Sequence, residues 1–131
     1  MGLFGGLFGG SKGDGENSSS GIPWIPLNSV AQLKEIKEAS SGRPQVIFKH
    51  STSCGISRMV LNMFKSSYGL ENGQMDLYFL DLLANRDVSN AVASEFGVMH
   101  QSPQLLIIKN GVVVIHDSHS AISDIKLEQY V

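Results

Sequence analysis

The sequence contains a single cysteine, Cys54, among 131 residues. A lone thiol cannot form a disulfide within its own chain, so no disulfide framework supports the fold and a reducing cytoplasm is the expected setting. A lone thiol by itself more often fills a gap in a core than performs chemistry. The role of Cys54 therefore has to be inferred from the residues around it.

An excess of charge of either sign is also missing. Ten Lys and Arg residues against 12 Asp and Glu residues give a formal net charge of -2, which does not provide the broad basic surface that nucleic acid requires. Long hydrophobic runs are missing too, because glycines interrupt the apolar residues near the N-terminus. No basic residues precede these apolar residues, as they would in an export signal. We expect no nucleic-acid partner, no export segment and no membrane span.

The composition divides the chain near residue 22. Residues 1–22 are rich in Gly and Ser and contain Leu-Phe-Gly-Gly twice, which is typical of a flexible tail. On a helix the Leu and Phe side chains of both repeats would share one face, so docking of the tail on a partner or a lipid surface is a second hypothesis. Residues 23–131 are predicted to form one domain, because 42% apolar residues are enough for a single core.

Apolar periodicity in this domain predicts strands and helices in alternation. Short apolar runs predict five strands, at 24–27, 46–48, 76–81, 105–108 and 112–115. Asn110-Gly111 joins the last two strands in the pattern typical of a hairpin. Helical spacing and end residues predict four helices: one opened by the capping box Ser29–Gln32, one from Cys54 to Gly69, one over 88–96 closed by Gly97, and a short last helix opened by Ser123.

This order of elements predicts the fold class. Strands that alternate with helices require parallel neighbours, and the closing hairpin adds an antiparallel edge. We therefore expect an α/β protein whose central mixed sheet is flanked by helices on both faces, in the order of elements of the thioredoxin-like fold.

Cys54 lies at a predicted strand-to-helix junction. The unpaired N–H groups and the positive end of the helix dipole favour its thiolate form. From residue 39 to residue 70 the chain has no acidic residue, and positive charge near the sulfur also favours the thiolate. We expect Arg58, one turn away, to act on the sulfur, and we interpret Arg43 and Lys65 as charges on solvated faces; Lys49 completes the basic set.

The spacing Cys54-Gly55-Ile56-Ser57 places a hydroxyl where a dithiol oxidoreductase has its second cysteine. At the start of a helix, Ser57 is expected to be close enough to hydrogen-bond the sulfur. Cys54 could then attack a disulfide, but the chain has no second thiol to resolve the product. Another molecule must supply the second sulfur.

Four segments carry a family resemblance: FKHSTSCGISRMV, NRDVSNAVASEFGV, HQSPQ and DSHSAI. With them, residues 23–131 resemble a thioredoxin-fold protein and, more closely, the bacterial monothiol bacilliredoxins, the YtxJ-like proteins of the bacillithiol system, some of which are known as general stress proteins. The resemblance implies a thiol-disulfide oxidoreductase with no bound cofactor and with bacillithiol as co-substrate. Its cysteine would attack a protein–bacillithiol mixed disulfide, free the client protein and carry bacillithiol until another thiol removes it. We expect a monomer.

The resemblance also implies roles for individual residues. Cys54 is the implied nucleophile and Ser57 its catalytic neighbour, and the implied substrate-binding residues are His50, Thr52, Ser53, Gly55, Ile56, Arg58, Ser102, Pro103 and His119. By analogy with thioredoxins, the Ser102–Pro103 bond is expected to be cis and to expose backbone beside Cys54 for an extended substrate.

The sequence departs from related patterns at several positions. Ordinary thioredoxins have Trp, Pro and a buried acid where this chain has Ser53, Ile56 and the acid-free run 46–49, which excludes a thioredoxin-type dithiol reductase. Monothiol bacilliredoxins more often have Pro in place of Gly55, which leaves the substrate preference open.

The histidines allow three interpretations. Together with Cys54 they could bind zinc or iron, but no two of them have the close spacing of a structural site, and we predict no metal. They could be exposed loop residues, as expected for His116 and His100. His50 or His119 could instead steady the thiolate or recognise the malate carboxylates of bacillithiol, although the forked guanidinium of Arg58 suits those carboxylates better.

Two other classes of function remain open. The same fold could serve as a redox-sensing or binding module in which Cys54 accepts bacillithiol and passes it to no client. Alternatively, the chain could be a structural partner that acts through its Leu-Phe tail.

Overall fold

The predicted alternation of strands and helices is present in the computed structural model, which describes residues 22–71 and 73–131. The strands are β1 (Ile25–Pro26), β2 (Gln45–His50), β3 (Asp76–Asp81), β4 (Gln104–Lys109) and β5 (Val112–Ser118). The α-helices are α1 (Ala31–Ala39), α2 (Gly55–Ser67) and α3 (Arg86–Phe96). Two short 3-10 segments, His119–Asp124 and Leu127–Gln129, follow β5.

The five strands form one mixed sheet in the order β1-β3-β2-β4-β5. β1, β3 and β2 are parallel, β4 is antiparallel to β2, and β5 is antiparallel to β4. The hairpin between β4 and β5 turns at Asn110 and Gly111, whose φ angles are 53° and 82°. This left-handed pair is the geometry for which Asn-Gly is favoured. The mixed sheet with this strand order confirms the predicted fold class.

Helices cover both faces of the sheet because alternate strand residues point to opposite sides. On one face, β2 buries Val46 and Phe48 against α2 and the 3-10 segments. On the other face, β2 buries Ile47 against α1 and α3. No helix in the described part of the chain has the length and apolar character needed to cross a membrane.

Helix ends follow the local chemistry of the sequence. At α1, the Ser29 N–H donates to Gln32 Oε1 at 3.0 Å and Ser29 Oγ accepts from the Ala31 N–H at 3.2 Å, so the predicted capping interaction is present. At α3, Gly97 adopts φ 66°, which favours glycine at a helix end. α2 ends at Ser67, two residues before the predicted stop at Gly69.

The predicted C-terminal helix is wrong. Ile122 and Leu127 are both buried in the same core, yet five residues correspond to about 140° of rotation on an α-helix, so one helix could not direct both inward. The chain instead extends at Ile125 (φ -75°, ψ 127°) between the two 3-10 segments. Residues 1–21, most of the predicted tail, lie outside the described residues, whereas Ile22 is buried in the core.

Ser40 ties α1 to the β4–β5 turn. Its hydroxyl donates to the Lys37 carbonyl at 2.6 Å and accepts from the Gly111 N–H at 2.8 Å, and its carbonyl accepts from the Asn110 N–H at 2.9 Å. We expect Ser40→Ala to lower the free energy of unfolding by about 1–2 kcal/mol because it leaves the Gly111 N–H without its partner. Urea denaturation measures this change.

The neighbouring Ser41 provides the matched control. Its exposed hydroxyl bonds only the carbonyl of Glu38 in its own turn. Ser41→Ala should therefore change stability by no more than about 0.5 kcal/mol. Equal losses in the two variants would contradict the proposed role of Ser40.

Candidate active site

Cys54 occupies the position immediately before α2. Its backbone is extended (φ -108°, ψ 119°), and its carbonyl accepts the first helical bond from the Arg58 N–H at 3.2 Å. The Cys54 N–H donates to the Ser51 carbonyl, also at 3.2 Å, which closes a turn whose central residues Thr52 and Ser53 are exposed. Cys54 carries a free thiol, and the residue is half-buried at the N-terminal end of the helix.

Contrary to the expectation from the sequence, the hydroxyl of Ser57 does not hydrogen-bond the Cys54 sulfur. It accepts from the Ser51 N–H at 3.1 Å and lies 2.9 Å from His50 Nδ1, and no hydrogen bond joins it to Cys54 Sγ within the described ranges. Ser57 belongs to the buried side of α2, whose other members are Val60, Leu61 and Phe64. The helix therefore turns this hydroxyl toward the end of β2, where it fixes the loop that carries Cys54.

His50 lies between this loop and the sheet. Burial lowers its pKa from the ordinary value of 6.5, Asp81 opposes that shift, and the positive charges of Arg58 and Lys65 add to it. The ring also packs on Phe79, with the centroids 5.4 Å apart. His50 is therefore a buried ring whose surroundings oppose its protonation.

The basic residues around Cys54 divide into separate locations. Arg58 and, more weakly, Lys65 act electrostatically on His50. Lys65 is half-buried, and its interpretation as a charge on a separate solvated face stays a prediction. Arg43 forms an ion pair with Asp76 at 2.9 Å, where β2 and β3 begin, at the opposite edge of the sheet. The Arg43 side chain is 47% exposed, so its interpretation as a charge on a solvated face is confirmed.

The loop before β4 lies beside the loop that carries Cys54. The Ser102–Pro103 bond is cis, as expected. The register pairs Lys49 with Gln104, so one step further His50 and Pro103 lie at the same edge of the sheet. His119, exposed and with φ 56°, donates its N–H to the Pro103 carbonyl at 3.1 Å, and the structure thus brings it to this edge.

Ser102 presents unpaired polar atoms in this loop. Its Oγ is buried without a partner, and within residues 22–71 and 73–131 its backbone N–H and C=O form no hydrogen bond. Backbone groups that lack partners are available to another chain. The expectation that a substrate binds here stays a prediction.

A groove of about 730 Å³ follows α2 away from Cys54, and its lining residues are Gly55, Arg58, Met59, Asn62, Met63, Ser66, Ser67 and Ser123. Ile56 and Met59 beside it are 52% and 53% exposed. A side chain at Gly55 would meet no atom within 4 Å, so nothing nearby requires glycine there. The surface next to the thiol is thus open and partly apolar.

Sequence reasoning missed the arrangement of Lys49 and His100. Lys49 is fully buried, and its Nζ lies 3.2 Å from His100 Nδ1; burial lowers the pKa of Lys49 to about 8. His100 is therefore not a plain loop histidine, although its residue remains exposed. A lysine that directly continues the apolar run of residues 46–48 was the feature that could have indicated this burial.

His116 is exposed on β5, opposite Leu106, away from Cys54. Among the described residues, no three His, Cys, Asp or Glu side chains converge in a way that could hold a metal ion.

Residues 25–127 match the family model described as monothiol bacilliredoxin BrxC. A solved thioredoxin-fold protein proposed to be an oxidoreductase is 30% identical, with 81% of this chain and 91% of that chain covered and a TM-score of 0.67. Thioredoxin from Malassezia sympodialis is 22% identical over 80% and 84% of the two chains, with a TM-score of 0.59. Thioredoxin from Schistosoma mansoni is 17% identical over 82% and 92%, with a TM-score of 0.60. The last two likenesses show the fold.

The two histidines whose pKa values are lowered, His50 and His100, predict a pH-dependent stability. The pKa values of His50 and His100 are lowered in the folded protein, so between about pH 7 and pH 5 the unfolded chain binds protons more readily than the folded one. We expect the free energy of unfolding to fall as the pH decreases through this range. Urea denaturation at intervals between pH 5 and pH 8 measures it.

His50→Asn should reduce this fall, because asparagine keeps an acceptor near the position of Nδ1 and does not titrate. His116→Asn, at an exposed site on β5, is the matched control and should leave the pH profile unchanged. A profile of His50→Asn that coincides with the wild-type profile would show that burial of His50 does not contribute.

Proposed function

The chain belongs to the monothiol bacilliredoxin family of thioredoxin-fold oxidoreductases, and from this premise we propose that it removes bacillithiol from protein mixed disulfides. The observation that carries the proposal is the free, half-buried Cys54 at the start of α2, with Ser57 in place of a second cysteine. The reducing cytoplasm is the proposed setting.

In the first step the Cys54 thiolate attacks the bacillithiol sulfur of the client disulfide. A bond forms between Cys54 and bacillithiol, the bond between client and bacillithiol breaks, and the client thiolate leaves and takes a proton from solvent. The unpaired N–H groups at the start of α2 support the negative sulfur before the attack. The step moves bacillithiol from client to enzyme without changing the number of disulfides.

In the second step a free thiol, such as reduced bacillithiol, attacks the disulfide on Cys54. The attacking thiol takes over the bacillithiol held on Cys54, so reduced bacillithiol leaves as bacillithiol disulfide and the Cys54 thiolate is restored. An external thiol is required because the chain has no other cysteine. Bacillithiol is thus proposed as a co-substrate that the protein does not hold permanently.

The client is proposed to lie along the edge formed by the two loops. Ser102 offers unpaired backbone groups beside Pro103, and extended peptides bind such groups by main-chain hydrogen bonds. Thr52, Ser53 and Ile56 are exposed on the other side of Cys54. His119, bonded to the Pro103 carbonyl, completes this edge.

Turnover tests the proposal. A bacillithiolated client is mixed with catalytic amounts of the protein and an excess of reduced bacillithiol, and intact mass follows the release of client thiol. We expect many clients to be released per protein molecule, and Cys54→Ser to release none above background. Capture of one bacillithiol per protein molecule without further release would favour the sensing module. If deletion of residues 1–21 abolishes function while the Cys54→Ser variant stays active, the structural partner is favoured.

Ser57→Cys tests the absence of a resolving thiol. Positions three apart at a helix start have Cα atoms within disulfide range, so the new thiol should displace bacillithiol from Cys54. We expect the bacillithiol adduct, which persists on the wild-type protein when no free thiol is present, to convert to an internal disulfide in the variant. Intact mass after acid quenching measures both species.

Met59→Cys is the matched control for this variant. It also adds one thiol, but on an exposed residue more than a helical turn from Cys54. Its adduct should persist as in the wild type. Persistence of the adduct in Ser57→Cys as well would contradict the proximity of positions 54 and 57.

A further inference from the structure

Lys49, His100 and Arg86 are three basic residues at one end of the sheet, and within the described residues none of them pairs with a carboxylate. Lys49 Nζ contacts His100 Nδ1 at 3.2 Å, and the positive charges of Lys49 and Arg86 both act on the His100 ring. Within the described part of the chain, neither Lys49 nor Arg86 forms an ion pair. We call Lys49, Arg86 and His100 the basic cluster.

The missing counter-charge is unusual because Lys49 is fully buried. An ammonium group removed from water is costly unless an opposite charge or several hydrogen bonds compensate it. Lys49 has one such bond, to His100, although an ammonium group has three donors. The basic cluster therefore lacks an anion that would compensate its positive charges.

The contact with Lys49 also fixes which atom of His100 can donate. An ammonium group only donates, so His100 Nδ1 must accept, and the ring proton lies on Nε2. Ser89 Oγ, 3.3 Å from the same Nδ1, does not change this assignment. His100 is exposed, so it carries an N–H donor that a ligand can reach.

The cluster lies at the same edge of the sheet as Cys54. Lys49 is near the end of β2, five residues before the cysteine, and His100 is three residues before Pro103. Arg86 opens α3 after the loop that leaves β3, and β2 and β3 are parallel, so their carboxyl ends share this edge. Alternation places Lys49 with Ile47 on the face of β2 that α1 and α3 cover, whereas Cys54 precedes α2 on the other face. A molecule with its sulfur at Cys54 would therefore reach the cluster across this end of the sheet.

We propose that the basic cluster binds the dicarboxylate end of the low-molecular-weight thiol whose sulfur reacts at Cys54. The inference rests on the proposed function, since bacillithiol carries its malate carboxylates at the end away from the sulfur. The His100 Nε2–H and the exposed Arg86 guanidinium donate to the carboxylates, and buried Lys49 supplies charge behind the ring. This assignment replaces Arg58, which the sequence favours for the same carboxylates.

The test compares two disulfides with the reduced protein: bacillithiol disulfide and the same compound with its malate carboxylates methylated. Stopped-flow kinetics gives the ratio of the two rate constants for adduct formation at Cys54. We expect the wild-type protein to favour the charged disulfide by about tenfold, as charge-assisted hydrogen bonds allow. Arg86→Gln, His100→Phe and Lys49→Met should each lower this ratio severalfold.

Two matched variants and a pH series sharpen the test. Lys34→Met removes an exposed lysine on α1 and should leave the ratio unchanged. Arg58→Gln, beside Cys54, tests the alternative that Arg58 binds the carboxylates. The ratio should also fall as the pH rises through about 8, where Lys49, which faces His100 and no carboxylate, loses its proton. Arg86 and His100 are exposed, so their variants report on the site even if Lys49→Met does not fold.

The outcomes separate this inference from the proposed function. A wild-type ratio near one, an unchanged ratio in Arg86→Gln and His100→Phe, or a loss confined to Arg58→Gln would overturn the basic cluster as the subsite. Turnover of a bacillithiolated client is measured separately, so absence of turnover with the predicted pattern of ratios would refute the catalytic proposal alone.

Discussion

The buried hydrogen bonds of Ser57 are the constraint on which the site depends. A reactive thiol must be accessible, so core packing cannot hold it, and its position has to be set by its neighbours. Ser57 does this from inside the protein, because its hydroxyl bonds both the Ser51 N–H and His50. One end of the loop is thereby attached to β2 and the other to α2, so Cys54 is fixed between two rigid elements although the residue itself is only half-buried.

Local chemistry made most of the fold predictable. Asn110-Gly111, the Ser29–Gln32 cap and Gly97 each specify a backbone geometry that their neighbours hardly influence, and the structure has all three features. The C-terminal segment was not predictable in this way. Its path is set by where Ile122 and Leu127 meet the core, and that depends on the distance between α2 and the sheet, which no short stretch of sequence encodes.

The candidate site shows the same division. The location of Cys54 before a helix followed from periodicity, and the cis bond at Pro103 from family resemblance. The direction of the Ser57 hydroxyl depended on which side of α2 faces the sheet, and spacing alone suggested the sulfur instead. The sequence presents Lys49 only as one more positive charge, because its burial depends on α3 covering that face of β2.

The bonding of Ser57 also limits how many acceptors the side chain can serve. A hydroxyl has one hydrogen to give, and whenever it is given to the imidazole nitrogen of His50 none is left for an anion at position 54. The sulfur then receives no hydrogen bond from Ser57. Any change that moves the imidazole hydrogen onto Nδ1 reverses the donor in that pair and releases the serine hydrogen, so the tautomer of one ring controls how many donors the neighbourhood of the cysteine contains.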